Sequence, residues 1–146
     1  MLHSFFEKRN FPLIWLVLVH FLLLLPGTSF SEKKIELIPH ADKAVHFTLY
    51  FVMVASWILF FNLKDDLTIH QKKTWNFIVV LLAIGDGIII EFIQASPLIH
   101  RDFDWYDALA DSIGAIGGLA GGLWLNKKIK RTDATDVPEL RSPVSR

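Results

Sequence analysis

Three apolar runs, Ala44–Phe61, Trp75–Ile93 and Ala108–Leu125, contain among them only Asp86, Glu91 and Asp111 as residues charged at neutral pH. A bilayer core about 30 Å thick is crossed by about 20 helical residues, and each run approaches that length. In hydrocarbon every backbone N–H and C=O must be satisfied within the segment itself, so runs of this kind fold as helices. A shorter run, Phe11–Leu25, precedes them, with Pro12 suited to a first helical turn and Pro26 to a stop. The expected fold is all-α, a polytopic bundle of four transmembrane helices at about 11–25, 44–61, 75–93 and 108–125. These form one membrane domain, 11–125. Residues 1–10 precede it, and 126–146 follow as a basic, disordered tail.

The remaining composition agrees. Of 146 residues 52% are hydrophobic and 21% charged, and the charges lie mostly in the gaps between the runs. That segregation is a membrane pattern rather than a soluble core pattern. There is no basic face on a soluble domain, so nucleic acid is not an expected partner. The chain has no cysteine, which excludes disulfides, thiolate metal sites and cysteine nucleophiles. With the N-terminus in the cytoplasm, eleven Lys and Arg fall on inner segments and four on outer loops. The positive-inside rule then puts both termini in the cytoplasm, for a multi-pass protein of the cytoplasmic (inner) membrane. Trp15, Trp57, Trp75 and Trp124 lie near inner ends and Trp105 near an outer one, as an interfacial belt requires. The run at 127–131 reads as a stop-transfer cluster, with anionic lipid recognition as the sharper alternative. The first run is also open to reading as a cleaved signal peptide, given Lys8 and Arg9 before it and Gly27 and Ser29 after it.

Ionisable residues inside spans are costly and mark function by default. His46 stands near the start of the second span, Glu91 near the end of the third and Asp111 near the start of the last. Up-and-down spans put all three in the outer leaflet, where one polar cluster is expected. Lys43, His46 and Tyr50 recur at helical spacing, with Asp42 four residues before His46. Gly87, Glu91 and Gln94 make one face with a close-approach glycine. Asp86, deeper and rotated away, is expected as a neutral acid bonded to neighbouring backbone, with a proton relay as the alternative. The loop Ala95–Tyr106 carries Arg101 among Asp102 and Asp104, and a guanidinium fork suits phosphate or carboxylate. Asp107 and Asp111 continue into Gly114, Gly118 and Gly122, widened by Gly117 and Gly121. A glycine at every fourth position lets helices approach backbone to backbone. His20 and His40 find no matching partner in this pattern.

His46, Glu91, Asp107 and Asp111 are acceptable ligand types for a divalent ion. None stands at a recognised metal spacing, so no metal and no cofactor is expected; there is also no nucleophile elbow or Walker loop.

These residues resemble the VanZ-like family of small bacterial membrane proteins. The resemblance runs from Ala41-Asp-Lys-Ala-Val-His-Phe-Thr-Leu-Tyr50, through Gly87-Ile-Ile-Ile-Glu-Phe-Ile-Gln94, to Arg101, Asp104, Asp107, Asp111 and Gly114-Ala115. It implies that Lys43, His46, Tyr50, Glu91, Gln94, Arg101, Asp107 and Asp111 form the polar signature. Asp111 stands where many members have asparagine, and His100 where glycine is common. The family takes its name from a member associated with low-level teicoplanin resistance. The resemblance thus implies a cell-envelope setting and a site, but no reaction.

Two functions of different class follow. The leading one is recognition of an outer-leaflet, lipid-linked or amphiphilic anionic ligand, with Lys43 and Arg101 on the headgroup and His46, Glu91 and Asp111 as pocket floor. Membrane lipids and a lipid-linked envelope precursor are the implied partners, and oligomerisation is left open. The other is an intramembrane hydrolase or transferase acting on a lipid headgroup, with Glu91 or His46 as base. A structural or assembly bundle and a proton-coupled transporter stand behind these two.

Overall fold

The computed structural model describes residues 10–25, 41–97, 99 and 101–135. Expectations about Lys8, Arg9, Pro26, Gly27, Ser29, Lys33, Lys34, His40, His100 and residues 136–146, and so about both termini, lie outside the described residues. Within them the protein is all-helical: α1 (Asn10–Leu23), α2 (Ala41–Leu63), α3 (Ile69–Gln94) and α4 (Trp105–Thr135). The last three are long and apolar enough to cross a membrane. The 14 residues of α1 span about 21 Å, short of a full hydrocarbon core.

Local chemistry sets boundaries that apolar runs alone do not show. α3 begins at Ile69 rather than near Trp75 because Thr68 and Gln71 form a capping box. The Gln71 amide donates to Thr68 Oγ1 at 3.3 Å, and the Thr68 amide donates to Gln71 Oε1 at 2.8 Å. Lys72 Nζ then donates to the carbonyl of Asn62 at 3.1 Å, quieting a free acceptor at the end of α2.

At its other end α4 corrects the expected tail. It runs on through Lys127, Lys128, Lys130 and Arg131 to Thr135 instead of dissolving after Leu125. Lysine and arginine are good helix formers. Ile129, 7% exposed, also packs with Leu125 on Leu59 and Leu63 of α2, which gives the extra turns an apolar anchor.

α2 and α4 form the tightest pair. A Cβ on Gly114 would strike the carbonyl of Phe47. One on Gly118 would lie 2.5 Å from the Phe51 carbonyl oxygen, and one on Gly122 2.9 Å from Ile58 Cβ. Gly117 and Gly121 hold the Phe51 ring, with distances of 3.2 and 2.7 Å from their would-be Cβ atoms. The expected small-residue stripe is therefore a backbone-to-backbone seam.

α1 and α3 finish at the end of the bundle where α2 and α4 begin. Gln94 Nε2 at the end of α3 donates to the Leu23 carbonyl at the end of α1, at 2.8 Å. Val19 and Leu23 of α1 join Leu49, Tyr50, Met53, Val54, Ile58, Ala83, Ile90 and Ala115 in one core. Trp15, expected at an interface, instead donates its indole N–H to the Leu49 carbonyl at 3.1 Å, inside the bundle. Ile14, Val17, Phe77, Leu82 and Ile116 are exposed and suit a hydrocarbon surround.

Gly85 and Gly118 separate helix propensity from packing, since a Cβ on Gly85 meets nothing within 4 Å. Gly118→Ala is expected to destabilise by about 1–3 kcal/mol through overpacking. Gly85→Ala should be neutral or gain up to about 1 kcal/mol. Thermal unfolding of both variants in detergent checks the ordering, and equal losses would contradict the seam.

Candidate functional site

Four polar residues converge where α2 and α4 begin and α3 ends. His46, one turn into α2, is 2% exposed; Glu91, one turn from the end of α3, and Asp111 on α4 are both 0% exposed. His46 Nδ1 lies 3.1 Å from Asp111 Oδ1 and 3.3 Å from Oδ2. Glu91 Oε1 lies 3.9 Å from the same nitrogen, and Asp107 Oδ2 lies 4.0 Å from His46 Nε2. The expected cluster of His46, Glu91 and Asp111 is thus formed, and Asp107 belongs to it.

Glycine makes this approach feasible on the α3 side as well. A Cβ on Gly87 would sit 2.8 Å from Asp111 Cβ, so a larger residue there would push Asp111 off the cluster. With Asp111 ionised, Nδ1 carries the imidazole proton and a neutral His46 presents its Nε2 lone pair toward Asp107. That nitrogen and Glu91 Oε1 are buried without a hydrogen-bond partner among the described residues. Leaving a buried polar atom unsatisfied costs about 1–3 kcal/mol.

Above this floor lies a charged lip. Lys43 Nζ donates to Asp104 Oδ2 at 2.6 Å, Asp107 Oδ1 at 3.1 Å and Asp42 Oδ2 at 3.3 Å. An ammonium with three carboxylates is already neutralised, so Lys43 is poorly placed to attract a further anion. Arg101, half-buried, makes no side-chain hydrogen bond or ion pair among the described residues. Its backbone N–H donates to the Gln94 carbonyl at 3.2 Å, which fixes the loop against α3. Gln94 itself spends its side-chain amide on α1 rather than on the cluster.

Asp104 is the residue whose weight sequence spacing understates. Its Oδ1 accepts from the Tyr106 amide at 2.8 Å, an N-cap contact that starts α4. Its own amide donates to Glu91 Oε2 at 3.3 Å. The Lys43 ammonium and the Tyr106 amide hold its carboxyl below the usual carboxylate range. The Asp-x-x-Asp pattern ahead of α4 carried a capping signal; the Lys43 contact, 61 residues away, had none.

A second polar knot lies deeper. Tyr50, expected in the cluster, directs its hydroxyl to Asp86 Oδ2 at 2.8 Å. His20 Nε2 lies 3.1 Å from Asp86 Oδ1 while His20 Nδ1 lies 2.8 Å from the Leu16 carbonyl. Asp86 therefore bonds to side chains of α1 and α2 and not to neighbouring backbone, and His20 has the partner its spacing did not reveal. Because the Leu16 carbonyl can only accept, Nδ1 donates to it. Beside this knot an apolar cleft of about 720 Å³ runs between α1, α2 and α3, lined by Leu16, Met53, Trp57, Phe61, Trp75 and Leu82. It reaches Asp86, not the His46 cluster.

No family model, no curated protein and no solved structure matches the chain.

The capped and salt-bridged Asp104 sets a pH dependence. Its folded-state pKa is depressed, so its contribution is complete above the ordinary carboxylate range and is lost as pH falls through the depressed value. Asp104→Asn should lower the melting temperature in detergent at pH 7, and the gap to the parent protein should narrow as pH falls below the ordinary carboxylate range. A gap independent of pH would contradict the assignment.

Proposed function

We propose that this is a VanZ-like, multi-pass protein of the cytoplasmic membrane, with four crossing helices and cytoplasmic termini. Its polar cluster faces the outer side and binds the headgroup of a lipid-linked or amphiphilic anionic ligand. The observation that carries this reading is the pair of partnerless buried atoms, His46 Nε2 and Glu91 Oε1, under a half-exposed lip. A cluster that served only to fix helix register would gain by satisfying them, so their openness favours a guest.

The lip favours an amphiphile over a free solute. Phe92, Phe103 and Trp105 form a contiguous aromatic shelf, with ring centroids 5.0 and 4.7 Å apart. Phe92 and Trp105 are 60% and 65% exposed. A ligand arriving along the bilayer surface would lay its apolar part on this shelf and its headgroup by Arg101. Arg101 is the anion contact in this reading, since Lys43 is committed to its three carboxylates. An envelope role, including teicoplanin-type resistance, rests on the family resemblance.

One arrangement favours catalysis as the second reading. Asp111 on Nδ1 orients the His46 ring and supports a positive charge on it, leaving Nε2 open as general base. The protein would then act as a hydrolase or transferase on a lipid headgroup, with Arg101 steadying developing charge.

Lipid analysis of the purified protein, compared between parent and Arg101→Ala, tests the binding reading. Co-purifying anionic amphiphile should fall at least tenfold in Arg101→Ala, about 1.4 kcal/mol of binding free energy. An unchanged lipid profile would contradict it. His46→Gln separates the two readings by what is lost: a binder should lose lipid along with the Nε2 contact, while an enzyme should lose turnover with lipid still held at Arg101. A C-terminal reporter active on the outer side would overturn the proposed orientation.

A further inference from the structure

The acidic balance of the cluster sits awkwardly with an anionic guest. Asp42, Asp104, Asp107, Asp111 and Glu91 face Lys43 and His46, and among the described residues Arg101 is the further positive charge in the adjoining loop. A headgroup carrying further negative charge would meet net repulsion at close range. A cation between the two would remove the conflict.

One set of side chains is built to hold it. One ligand atom from each of His46, Glu91 and Asp107 lies within 4.8 Å of the others, and all three residues are buried. Two ligands at about 2.1 Å from one metal ion stand at most about 4.2 Å apart. The 4.0 Å between His46 Nε2 and Asp107 Oδ2 is about 0.6 Å wider than the roughly 3.4 Å of a tetrahedral shell, so a bound ion would draw the three side chains inward. Among the described residues His46 Nε2 and Glu91 Oε1 have no hydrogen-bond partner, so both are free to coordinate an ion.

The surroundings repeat a metal-site arrangement. A histidine ligand usually gives its second ring N–H to a carboxylate, which fixes the tautomer and raises the basicity of the ligating nitrogen. Asp111 does this to His46 Nδ1 at 3.1 Å. Glu91 Oε2 is likewise held by the Asp104 amide, leaving Oε1 to point at the ring. A second acidic group, Asp42, Asp104 and Asp107, has comparable spacing, but the Lys43 ammonium already fills its centre. The two sites share Asp107, which offers Oδ1 to Lys43 and keeps Oδ2 for the histidine side.

We propose that His46, Glu91 and Asp107 bind a divalent transition metal of the zinc or manganese type, oriented by Asp111, and that the bound ion bridges to the anionic headgroup. One imidazole with two carboxylates suits such an ion better than magnesium or calcium, which favour all-oxygen shells. Three protein ligands leave coordination positions open for a headgroup oxygen. The proposal rests on the reading of this cluster as a headgroup site. It also explains how an acidic cluster can serve an anionic guest.

The test uses the full-length protein in detergent, stripped with chelator and freed of any affinity tag, titrated with Zn²⁺ or Mn²⁺ and assayed for bound metal. One equivalent per chain is expected for at least one of the two ions, with Mg²⁺ unable to compete at equal concentration. Asp107→Asn and Glu91→Gln should each weaken that binding at least tenfold, and Asp111→Asn about 10–100-fold. Asp42→Asn, at the lysine-filled group, should leave it unchanged. Far-UV circular dichroism and melting temperature identify variants that fail to fold, and parent protein with and without metal keeps the test decisive if they do. No stoichiometric binding to parent protein, or binding indifferent to Asp107→Asn and Glu91→Gln, overturns the proposal. If metal fails while Arg101→Ala still strips the amphiphile, headgroup recognition stands without a bridging ion. If metal binds and no amphiphile co-purifies under either condition, the metal site stands and the bridging role falls.

Discussion

The seam between α2 and α4 is the constraint on which the rest of the molecule depends. Gly114 and Gly118, about one and two turns beyond Asp111, let the α4 backbone rest on the carbonyls of Phe47 and Phe51, just past the level where His46 meets Asp111. Without that approach Asp111 could not reach an imidazole on a neighbouring helix, because its side chain is short. Gly87 repeats the device from α3, where the Asp111 side chain occupies the space of a missing Cβ. Packing glycines and ionisable residues are thus one design, with small residues bringing the charged ones together. In hydrocarbon there is little hydrophobic drive between helices, so this close contact and the polar bonds across it carry the association.

Charge at the site is distributed by depth. Lys43, closest to the rim, gathers Asp42, Asp104 and Asp107, which are 39%, 36% and 7% exposed at their side chains. Beneath it His46 faces Asp107, Asp111 and Glu91 with almost no exposure. Carboxylates at the rim keep part of their hydration, whereas those below depend on histidine and on backbone N–H groups. Burying charge without such partners costs several kcal/mol per ion, which is why the lower tier is the chemically poised one.

What the sequence reveals and what it conceals separates along a physical line. The shared depth of His46, Glu91 and Asp111 follows from span boundaries and a fixed helical rise, so their meeting was legible. The glycine seam was legible for the same reason, as periodicity on one helix. Contacts that depend on which helix lies beside which were not. Asp86 with Tyr50 and His20, and Lys43 with Asp104, join residues 36, 66 and 61 positions apart. No local pattern fixes such pairings. Helix ends were displaced where a polar cap, Thr68 with Gln71, and an apolar anchor, Ile129, extend helices beyond their apolar runs. α1 shows the converse, since its helix stops at Leu23, short of the end of its apolar run at Leu25.

The way α1 is fastened has a consequence for how the bundle comes together. It meets the other helices through Val19 and Leu23 in the core and through three directed bonds: Trp15 to Leu49, His20 to Asp86, and the Leu23 carbonyl to Gln94. Each reaches a group on α2 or α3, and none involves the glycines of the α2–α4 seam. The close approach of α2 and α4 thus does not depend on α1, which covers Asp86 and the Gln94 amide. Proteolytic loss of α1 would expose Asp86 and the Gln94 amide to lipid together, giving such a truncated protein an incentive to recruit a substitute helix from another membrane partner.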